Sequence, residues 1–252
     1  MPESVANPSL YYKNNFIVTL SLLDKLIECG VKTFVYSSSA ATYGDPGLRK
    51  CRESDVCRPI NPYGATKLMM EQVCRDYLTA YQLSSVGLRY FNAAGASPDS
   101  IIGEDHNPET HLIPLVIQAA LKSEPIKIFG DDWPTSDGTG VRDYIHVMDV
   151  AEGHIAVLEY LLKEKPQILT LNLGTGKGTS VLELVKTFEK INKVKIPYIF
   201  SKRRIGDAAF VVADNSKALK ILDWKPKKTI DEMCKDGWLW RCKNPNGFNT
   251  LS

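Results

Sequence analysis

A tyrosine and a lysine one helical turn apart are the first residues that could do chemistry. In "NPYGATK" (61–67), Lys67 follows Tyr63 by four positions, so both side chains project from the same face of a helix. A cation beside a phenol lowers the phenol's pKa from about 10, which suits it to proton transfer near neutrality. The same spacing also fits a capped helix with a buried tyrosine and a solvated lysine. Other residues must decide between these interpretations.

The elements around this pair predict a parallel sheet. "TFVYSSS" (33–39) and "SVGLRYFN" (85–92) have the composition of short buried strands, and the tyrosine–lysine helix lies between them. A further helix over 16–27 precedes the first strand and ends at Gly30. Helix, strand, helix, strand implies right-handed crossovers between parallel strands. Because ligands bind at the carboxyl ends of such strands, Ser39 and Asn92 should meet the tyrosine–lysine pair in one crevice.

Beyond residue 92 the chain becomes rich in loops, and its elements are shorter. We expect residues 1–92 to form the parallel-sheet portion and 93–252 a smaller portion, with the strand 168–174 returning to the first sheet. In the helix at 149–163, the spacing of Ile155, Leu158 and Leu162 predicts that these side chains face inward. The other expected elements are a helix at 112–122, a strand at 126–129, a helix from about Ser180 and a helix at about 229–242.

The composition excludes several classes of protein. A net charge of +2 with 24% charged residues gives no basic field for nucleic acid or a membrane surface. No apolar run approaches the roughly 20 residues of a membrane-spanning helix. The six cysteines form no CxxC pair and have no histidine at zinc-site spacing. They are typical of free thiols in a reducing cytoplasm, where we expect the protein to be located.

Seven motifs, including the tyrosine–lysine segment, together produce a resemblance to a known family. "VYSSSAATYG", "NPYGATK" and "LRYFNAAGA" resemble the extended short-chain dehydrogenase/reductases. "GEDHNPETHLIP", "IFGDDWPTSDGTGVRDYIHVMD", "LNLGTGKGTS" and "RRIGDAAFVVAD" make the chain similar to the UDP-glucose (UDP-galactose) 4-epimerases within that family. The resemblance implies an α/β fold, in which this chain forms the C-terminal half of a doubly wound, Rossmann-type parallel sheet plus a smaller, loop-rich α/β substrate domain.

The resemblance also implies the chemistry. These enzymes oxidise the sugar's carbon-4 hydroxyl with tightly held NAD, and the keto sugar turns over and takes the hydride back on its other face. Tyr63 would exchange the hydroxyl proton, Ser39 would share it, and Lys67 would hold the nicotinamide ribose and depress the tyrosine pKa. The residues implied to contact NAD are Asn15, Ser37, Ser38, Tyr63, Lys67, Tyr90 and Phe91.

The UDP-sugar would be held mainly by the later portion. Two fixed arginines suit a diphosphate, and an aromatic side chain with strand backbone suits uracil. A valine at 211, where some members have tyrosine, would leave room for an N-acetyl group. The implied substrate contacts are Ser39, Ala40, Ala41, Tyr63, Asn92, Thr110, His111, Leu112, Lys127, Ile128, Phe129, Arg142, Arg204, Asp207 and Val211. Family members commonly form homodimers through helices like those at 14–29 and 63–82.

The resemblance leaves alternatives open. Related nucleotide-sugar 4,6-dehydratases carry an Asp-Glu pair near the key serine, where this chain has Ala40 and Ala41. The family's N-terminal glycine-rich turn for the NAD pyrophosphate, within a segment on the order of 80 residues, has no counterpart in this sequence. We therefore expect the chain alone to purify without NAD, to show no measurable epimerisation and to expose 33–39 as a sheet edge. A non-catalytic UDP-sugar-binding fragment and a UDP-N-acetylglucosamine 4-epimerase are the other interpretations.

Three further signals are assigned structural roles. "GTGKG" (174–178) fails the dinucleotide pattern because position 179 is threonine. His106 and His111 could suggest a metal, but a proline-containing loop with one further acid makes a poor cage, so no metal site is predicted. His146 lies in an apolar alternation and is predicted to be a packing residue with satisfied hydrogen bonds.

Overall fold

The computed structural model describes residues 2–250 and has an α/β architecture. Its α-helices are α1 Pro2–Ala6, α2 Pro8–Tyr11, α3 Val18–Glu28, α4 Pro62–Tyr81, α5 Leu112–Lys122, α6 Val147–Lys163, α7 Val181–Asn192, α8 Ser216–Leu222 and α9 Ile230–Lys243. A π-helical segment at Tyr12–Ile17 and 3₁₀ segments at Ala40–Thr42 and Gly247–Thr250 complete the helices. The strands are β1 Thr33–Ser39, β2 Ser84–Tyr90, β3 Asn92–Ala94, β4 Ile126–Phe129, β5 Val141–Arg142, β6 Tyr144–His146, β7 Ile168–Leu173, β8 Thr179–Ser180, β9 Tyr198–Ser201 and β10 Phe210–Val211.

The main sheet is parallel, with the strand order β1-β2-β7. Its register places Ser39 opposite Tyr90 and Tyr90 opposite Leu173, so these three strands end together. Helices α3 and α4 cover one face through a core that includes Leu23, Met70 and Cys74. Helices α6 and α8 cover the other face. Covering of both faces confirms the doubly wound arrangement, and β1 pairs only with β2 among the described strands.

A second core holds the rest of the chain together. It is formed mainly by α5, α7 and α9, whose buried side chains include Ile117, Phe188 and Met233. Short strands join this core to the site: β3 pairs with β6, β4 with β9, and β5 lies between β10 and β8. Both α7 and α9 begin with a capping box, in which the N-cap hydroxyl and a glutamate three residues later satisfy each other's backbone amides.

Most predicted elements are confirmed, with two corrections. The helix at 112–122 and the strand at 126–129 match α5 and β4. The strand predicted over 85–92 is wrong at its end, because β2 stops at Tyr90 and Asn92 belongs to β3, which pairs with β6 in a different sheet. Only Phe91 separates the two sheets at this crossing.

The predicted inner face of α6 is wrong. Ile155, Leu158 and Leu162 are 61%, 45% and 69% exposed. The buried stripe is instead formed by Val150, Gly153, Val157 and Leu161. Gly153 explains the choice, because an added Cβ there would lie 3.1 Å from Leu173 Cδ1 and 3.5 Å from Trp224. The helix therefore turns its smallest residue toward the sheet, where the approach is closest.

The structure bears on the state of the cysteines and on membrane-spanning helices. All six cysteines are unpaired, as the sequence predicted. In the part of the chain that the structure describes, no helix combines the length and apolar character needed to cross a bilayer.

Candidate active site

The first turn of α4 brings Tyr63 beside Ser39. Asn61 caps this helix, since its Oδ1 accepts a hydrogen bond of 2.9 Å from the Gly64 amide, and Pro62 occupies the first helical position. Gly64 packs directly on the turn after β1: an added Cβ would lie 2.9 Å from the Ala41 carbonyl carbon. The absence of a side chain at Gly64 therefore lets the helix start approach the end of β1.

Lys67 lies on the same face of α4 as Tyr63, but its ammonium group is hydrogen-bonded to the backbone of β1. Its Nζ donates a 2.9 Å hydrogen bond to the Ser37 carbonyl oxygen and lies 5.7 Å from the centre of the Tyr63 ring. Burial raises the pKa of Tyr63, and a hydrogen bond with Ser39 lowers it in part. Burial also lowers the pKa of Lys67. The net direction of the Tyr63 pKa is thus opposite to the lowering expected from the lysine, because burial dominates.

Tyr90 joins a chain of hydrogen bonds that the sequence analysis missed. Its hydroxyl contacts Ser37 Oγ at 3.2 Å and forms a short hydrogen bond with His154 Nε2. His154 Nδ1 lies 2.8 Å from the Val150 carbonyl oxygen, so Nδ1 carries the proton and Nε2 of the neutral ring accepts from Tyr90. Tyr90 can then accept from Ser37. The position of His154 one turn after Val150 gave no sequence signal of this role.

Ser38 is directed away from the crevice, so its predicted cofactor contact cannot come from its side chain. The residue is 1% exposed, and its Oγ donates a 2.6 Å hydrogen bond to Glu71 Oε1. Arg89 holds the same carboxylate through both Nε (2.9 Å) and Nη2 (2.7 Å). Side chains alternate across a strand, so Ser37 and Ser39 face one side and Ser38 the other. This buried ion pair fixes β1 and β2 to α4.

Asn15 reaches the site through α4. Its Nδ2 donates to Thr66 Oγ1 at 3.2 Å, and Thr66 Oγ1 in turn donates to the Tyr63 carbonyl oxygen at 2.8 Å. The Tyr11 ring packs edge-on against Tyr63 with ring centres 6.1 Å apart, a contact that the sequence analysis also missed. The segment before α3 therefore closes one side of the site.

An apolar wall connects the end of the main sheet to the second portion. Phe91 and Val211 both pack against a small cluster of buried side chains, namely Ala40, Tyr43 and Cys51. Ala41, the other predicted contact in this turn, is half-buried. The structure thus brings together predicted cofactor and substrate residues that are distant in sequence.

Basic side chains gather at the far end of this wall. Arg142 on β5 pairs in register with Val211 on β10. Arg204 stacks over the Phe129 ring at 4.5 Å and donates from Nε to Asp207 Oδ2 at 3.0 Å. Burial lowers the pKa of Arg142, with Asp207 opposing this shift and Arg204 adding to it. Two guanidinium groups therefore share one carboxylate, which leaves a net positive charge that suits an anion.

Several other predicted substrate contacts are restricted by packing. Ile128 is 1% exposed and Leu112 packs on the second core, so their side chains belong to the interior. Lys127 is exposed on β4. Asn92 is half-buried, and its backbone N–H donates a hydrogen bond of 2.9 Å to the Asp143 carbonyl oxygen.

Thr110 and His111 are engaged within their own loop. Both backbone amides donate to Glu109 Oε1, at 2.6 Å and 2.7 Å. The His111 ring forms a short hydrogen bond with Glu104, which raises the pKa of the histidine. The structure therefore does not turn the His111 side chain toward the arginines.

The glycine-containing turn after β7 holds an internal anion. The amides of Thr175 and Gly176 donate to the two oxygens of Asp143 at 2.8 Å and 2.9 Å, and Ala213 N donates at 3.2 Å. Burial raises the pKa of Asp143 against these hydrogen bonds. The carboxylate thus occupies the donors that a phosphate would need.

His146 has the role predicted for it. It is fully buried, its Nδ1 accepts from Met148 N at 3.1 Å, and its Nε2 lies 3.2 Å from Asp236 Oδ2. Both ring nitrogens are satisfied within the fold.

Known proteins share both the sequence and the fold. Residues 1–174 match the profile of the NAD dependent epimerase/dehydratase family. A UDP-glucose 4-epimerase of Cyamopsis tetragonoloba is 49% identical over 249 residues, covering 98% of this chain and 71% of that protein. A UDP-glucose 4-epimerase of Bacillus subtilis (strain 168) is 49% identical over 251 residues, covering 98% of this chain and 74% of that protein.

A solved structure agrees closely with this fold. UDP-glucose 4-epimerase from Bifidobacterium longum, in complex with NAD+ and UDP, has a TM-score of 0.92 and 44% sequence identity. The match covers 98% of this chain and 74% of that protein's chain.

Proposed function

The chain belongs to the NAD dependent epimerase/dehydratase family, and on that premise we propose that it interconverts UDP-glucose and UDP-galactose at carbon 4 with NAD as cofactor. One observation supports this most directly. Tyr63 and Ser39 are hydrogen-bonded at one end of an apolar wall, and a pair of arginines lies toward its other end. A proton-transfer group and an anion anchor are what a nucleotide-sugar epimerase requires.

The groups at the ends of β1 and β2 fit the nicotinamide end of NAD. The Lys67 ammonium and the exposed Ser37 hydroxyl are hydrogen-bond donors beside half-buried Tyr90 and Phe91. Lys67 would hold the ribose, while the aromatic pair would flank the ring. When bound, NAD supplies the acceptor and donor of the hydride at carbon 4. Among residues 2–250 the glycine turn at 174–178 is already filled by Asp143, so it offers nothing to the pyrophosphate.

Tyr63 and Ser39 would transfer the proton of the sugar's carbon-4 hydroxyl group. Ser39 Oγ accepts from the Ala41 amide at 3.1 Å, which fixes the oxygen and leaves its own proton for a neighbour. The sugar hydroxyl proton would pass to the Tyr63 oxygen on oxidation and return from it on reduction. Burial raises the pKa of Tyr63. Positive charge near the phenol, from Lys67 and from bound NAD, would favour its basic form.

The arginine end would anchor the nucleotide. The positive charges of Arg142 and Arg204 repel each other, and the one carboxylate that attracts both is Asp207. A diphosphate would relieve this repulsion through charge-assisted hydrogen bonds. The Arg204 guanidinium stacks on one face of the Phe129 ring, and the edge of that ring would contact the uracil. A firmly held nucleotide leaves the hexose free to turn, which the reaction requires.

The first alternative, dehydration, lacks the groups it needs. A 4,6-dehydratase must eliminate water and uses an acidic pair after the key serine. Here the two positions are Ala40 and Ala41, whose methyl groups can neither give nor take a proton.

The second alternative is a protein that binds UDP-sugars without converting them, and one experiment separates it from the proposal. Because the chain alone is expected to show no measurable epimerisation, UDP-galactose is incubated with the purified protein, excess NAD and the N-terminal half of a related epimerase supplied as a separate polypeptide. The anomeric proton signals of both sugars are followed by NMR. We expect conversion by the wild type and its loss in Tyr63→Phe, with the affinity for UDP unchanged within about twofold. UDP binding without any conversion by the wild type would leave only the binding function. Equal losses of rate and UDP affinity in the variant would contradict the assigned roles.

We further propose that the protein is cytoplasmic and forms a homodimer. Six unpaired cysteines are compatible with a reducing compartment. Helices α3 and α4 expose large apolar side chains, including Val18, Leu22 and Met69. Light scattering after size exclusion should give twice the chain mass of 28.1 kDa. Leu22→Glu should shift the protein toward the monomer, and an unchanged mass would contradict this interface.

A further inference from the structure

The loop before α5 gathers four side chains with the chemistry of metal ligands. Glu104, His106, Glu109 and His111 each offer one ligand atom, and these four atoms all lie within 4.8 Å of one another. His111 Nδ1 is hydrogen-bonded to Glu104 Oε1, and His106 Nδ1 lies 3.9 Å from Glu109 Oε1. The two imidazole rings stack with centres 5.7 Å apart. Each histidine therefore presents Nδ1 toward a carboxylate.

Glu109 supplies an independent observation. Its side chain is only 3% exposed, and its Oε1 accepts the amides of Thr110 and His111. Its Oε2 is buried and has no hydrogen-bond partner among the described residues. Leaving a buried carboxylate oxygen unpaired costs free energy, and the cost is larger for a charged group. A cation at this point would remove that cost.

We propose that these four residues bind one Zn²⁺ ion. Two imidazole nitrogens and two carboxylate oxygens suit zinc, whereas calcium and magnesium prefer oxygen ligands alone. In a tetrahedral zinc site with bonds of about 2.0–2.2 Å, neighbouring ligand atoms lie roughly 3.4 Å apart. The widest separation allowed by the 4.8 Å limit needs to contract by about 1.4 Å, and the short contact between Glu104 and His111 needs to lengthen; both changes are within the reach of side-chain rotation in a surface loop. Four protein ligands leave no open coordination position, so the ion would be structural.

The ion would fix the approach to α5. His111 directly precedes this helix, whose residues Ile113, Val116 and Ile117 are buried in the second core. Binding at Glu104 and His111 would tie both ends of the loop to that core. The sequence predicted no metal site in this loop, because the segment from His106 to His111 contains one acid, Glu109. Glu104 lies two residues before His106, and the fold brings its carboxylate to the cluster.

The test measures metal and does not depend on the proposed function. The full chain is stripped with a chelator, dialysed against a small excess of Zn²⁺ and analysed for bound metal, with Co²⁺ as a spectroscopic probe. We expect one zinc per chain and the intense visible absorption of tetrahedral Co²⁺. His106→Ala and His111→Ala should each weaken binding by more than about 100-fold, since even outer-shell changes cost 10–100-fold.

Asp105→Asn is the matched control. It removes a carboxylate within the same loop, but this one accepts the Phe248 amide at 2.9 Å and is not among the four ligands. The control should keep its zinc, and zinc should raise the melting temperature of the wild type and the control but not of the histidine variants. Circular dichroism checks that each variant is folded. Absence of bound zinc in the wild type, equal binding by the histidine variants, or a weak octahedral Co²⁺ spectrum would each overturn the proposal.

Discussion

Gly64→Ala tests whether the close approach of α4 to β1 sets the position of Tyr63. The new Cβ would lie 2.9 Å from the Ala41 carbonyl carbon and 3.0 Å from Pro59 Cβ, whereas ordinary contact begins at 3.4 Å. The same Cβ would come closer still to the Ala41 carbonyl oxygen, so the helix start and the turn must separate by roughly 1 Å, because the Ala41 atoms belong to the backbone. Tyr63 is the adjacent residue and would move away from Ser39.

The two consequences have different magnitudes. Overpacking of this kind costs about 1–3 kcal/mol of folding free energy, and the better helix propensity of alanine returns about 1 kcal/mol. The protein should therefore stay folded, with a small loss of stability. Displacement of a reacting group by up to about 1 Å can reduce a rate by about 100-fold. We expect a 10- to 100-fold slower conversion of UDP-galactose, by the same estimate.

Gly237→Ala provides the control. Gly237 lies within α9, and its added Cβ would meet Ile117 Cδ1 at 3.5 Å, which is ordinary contact. This variant should gain about 0.5–1 kcal/mol of stability and keep its rate. Urea unfolding measures the first quantity, and the NMR conversion assay, with excess NAD and the added N-terminal half of a related epimerase, measures the second. If Gly64→Ala converted its substrate within about twofold of Gly237→Ala, the packing argument would be refuted.

Three other perturbations have defined outcomes. Val211→Tyr should slow the conversion of UDP-N-acetylglucosamine far more than that of UDP-glucose, because it fills the wall beside Phe91; equal slowing would contradict this. Glu71→Gln should cost about 3–5 kcal/mol in urea unfolding, since the Arg89 charge loses its buried carboxylate, whereas Glu28→Gln, in an exposed ion pair, should cost less than about 1 kcal/mol. A hydrogen bond from a neighbouring lysine lowers the pKa of Glu232 to about 2, so its ionised form favours the folded state and its contribution is lost as the pH falls from 4.5 toward 2. Glu232→Gln should flatten the dependence of the melting temperature on pH in that window, and an unchanged slope would contradict the assignment.

Local patterns were sufficient to predict the central elements of the site. The composition of 33–39 predicted β1, and the Asn-Pro pair predicted the start of α4. Because ligand sites lie at the carboxyl ends of parallel strands, Ser39 was expected beside Tyr63. The helix at 112–122 and the strand at 126–129 were also predictable, because each has a clear apolar pattern between polar loops. These features depend on short segments, and tertiary contacts did not change them.

What could not be predicted depended on partners distant in sequence. Helix α6 has two apolar stripes, and only the contact of Gly153 with Leu173 decides which one is buried. The direction of the Tyr63 pKa shift depends on how deeply the fold buries the ring. His154 gave no signal, since its partner Tyr90 lies 64 residues away. The extended-strand pattern also continued past Tyr90, although the pairing changes sheet there.

The change of sheet at Phe91 sets a fixed spacing within the proposed reaction. Tyr90 belongs to the main sheet and Asn92 to the strand paired with β6, so a single residue joins the two sides. Extended chain advances about 3.3 Å per residue, which sets the two positions roughly 7 Å apart along the backbone. A covalent link this short resists stretching when either side is loaded. The proposed contacts of Tyr90 with NAD and of Asn92 with the sugar nucleotide would therefore keep their separation while the hexose turns.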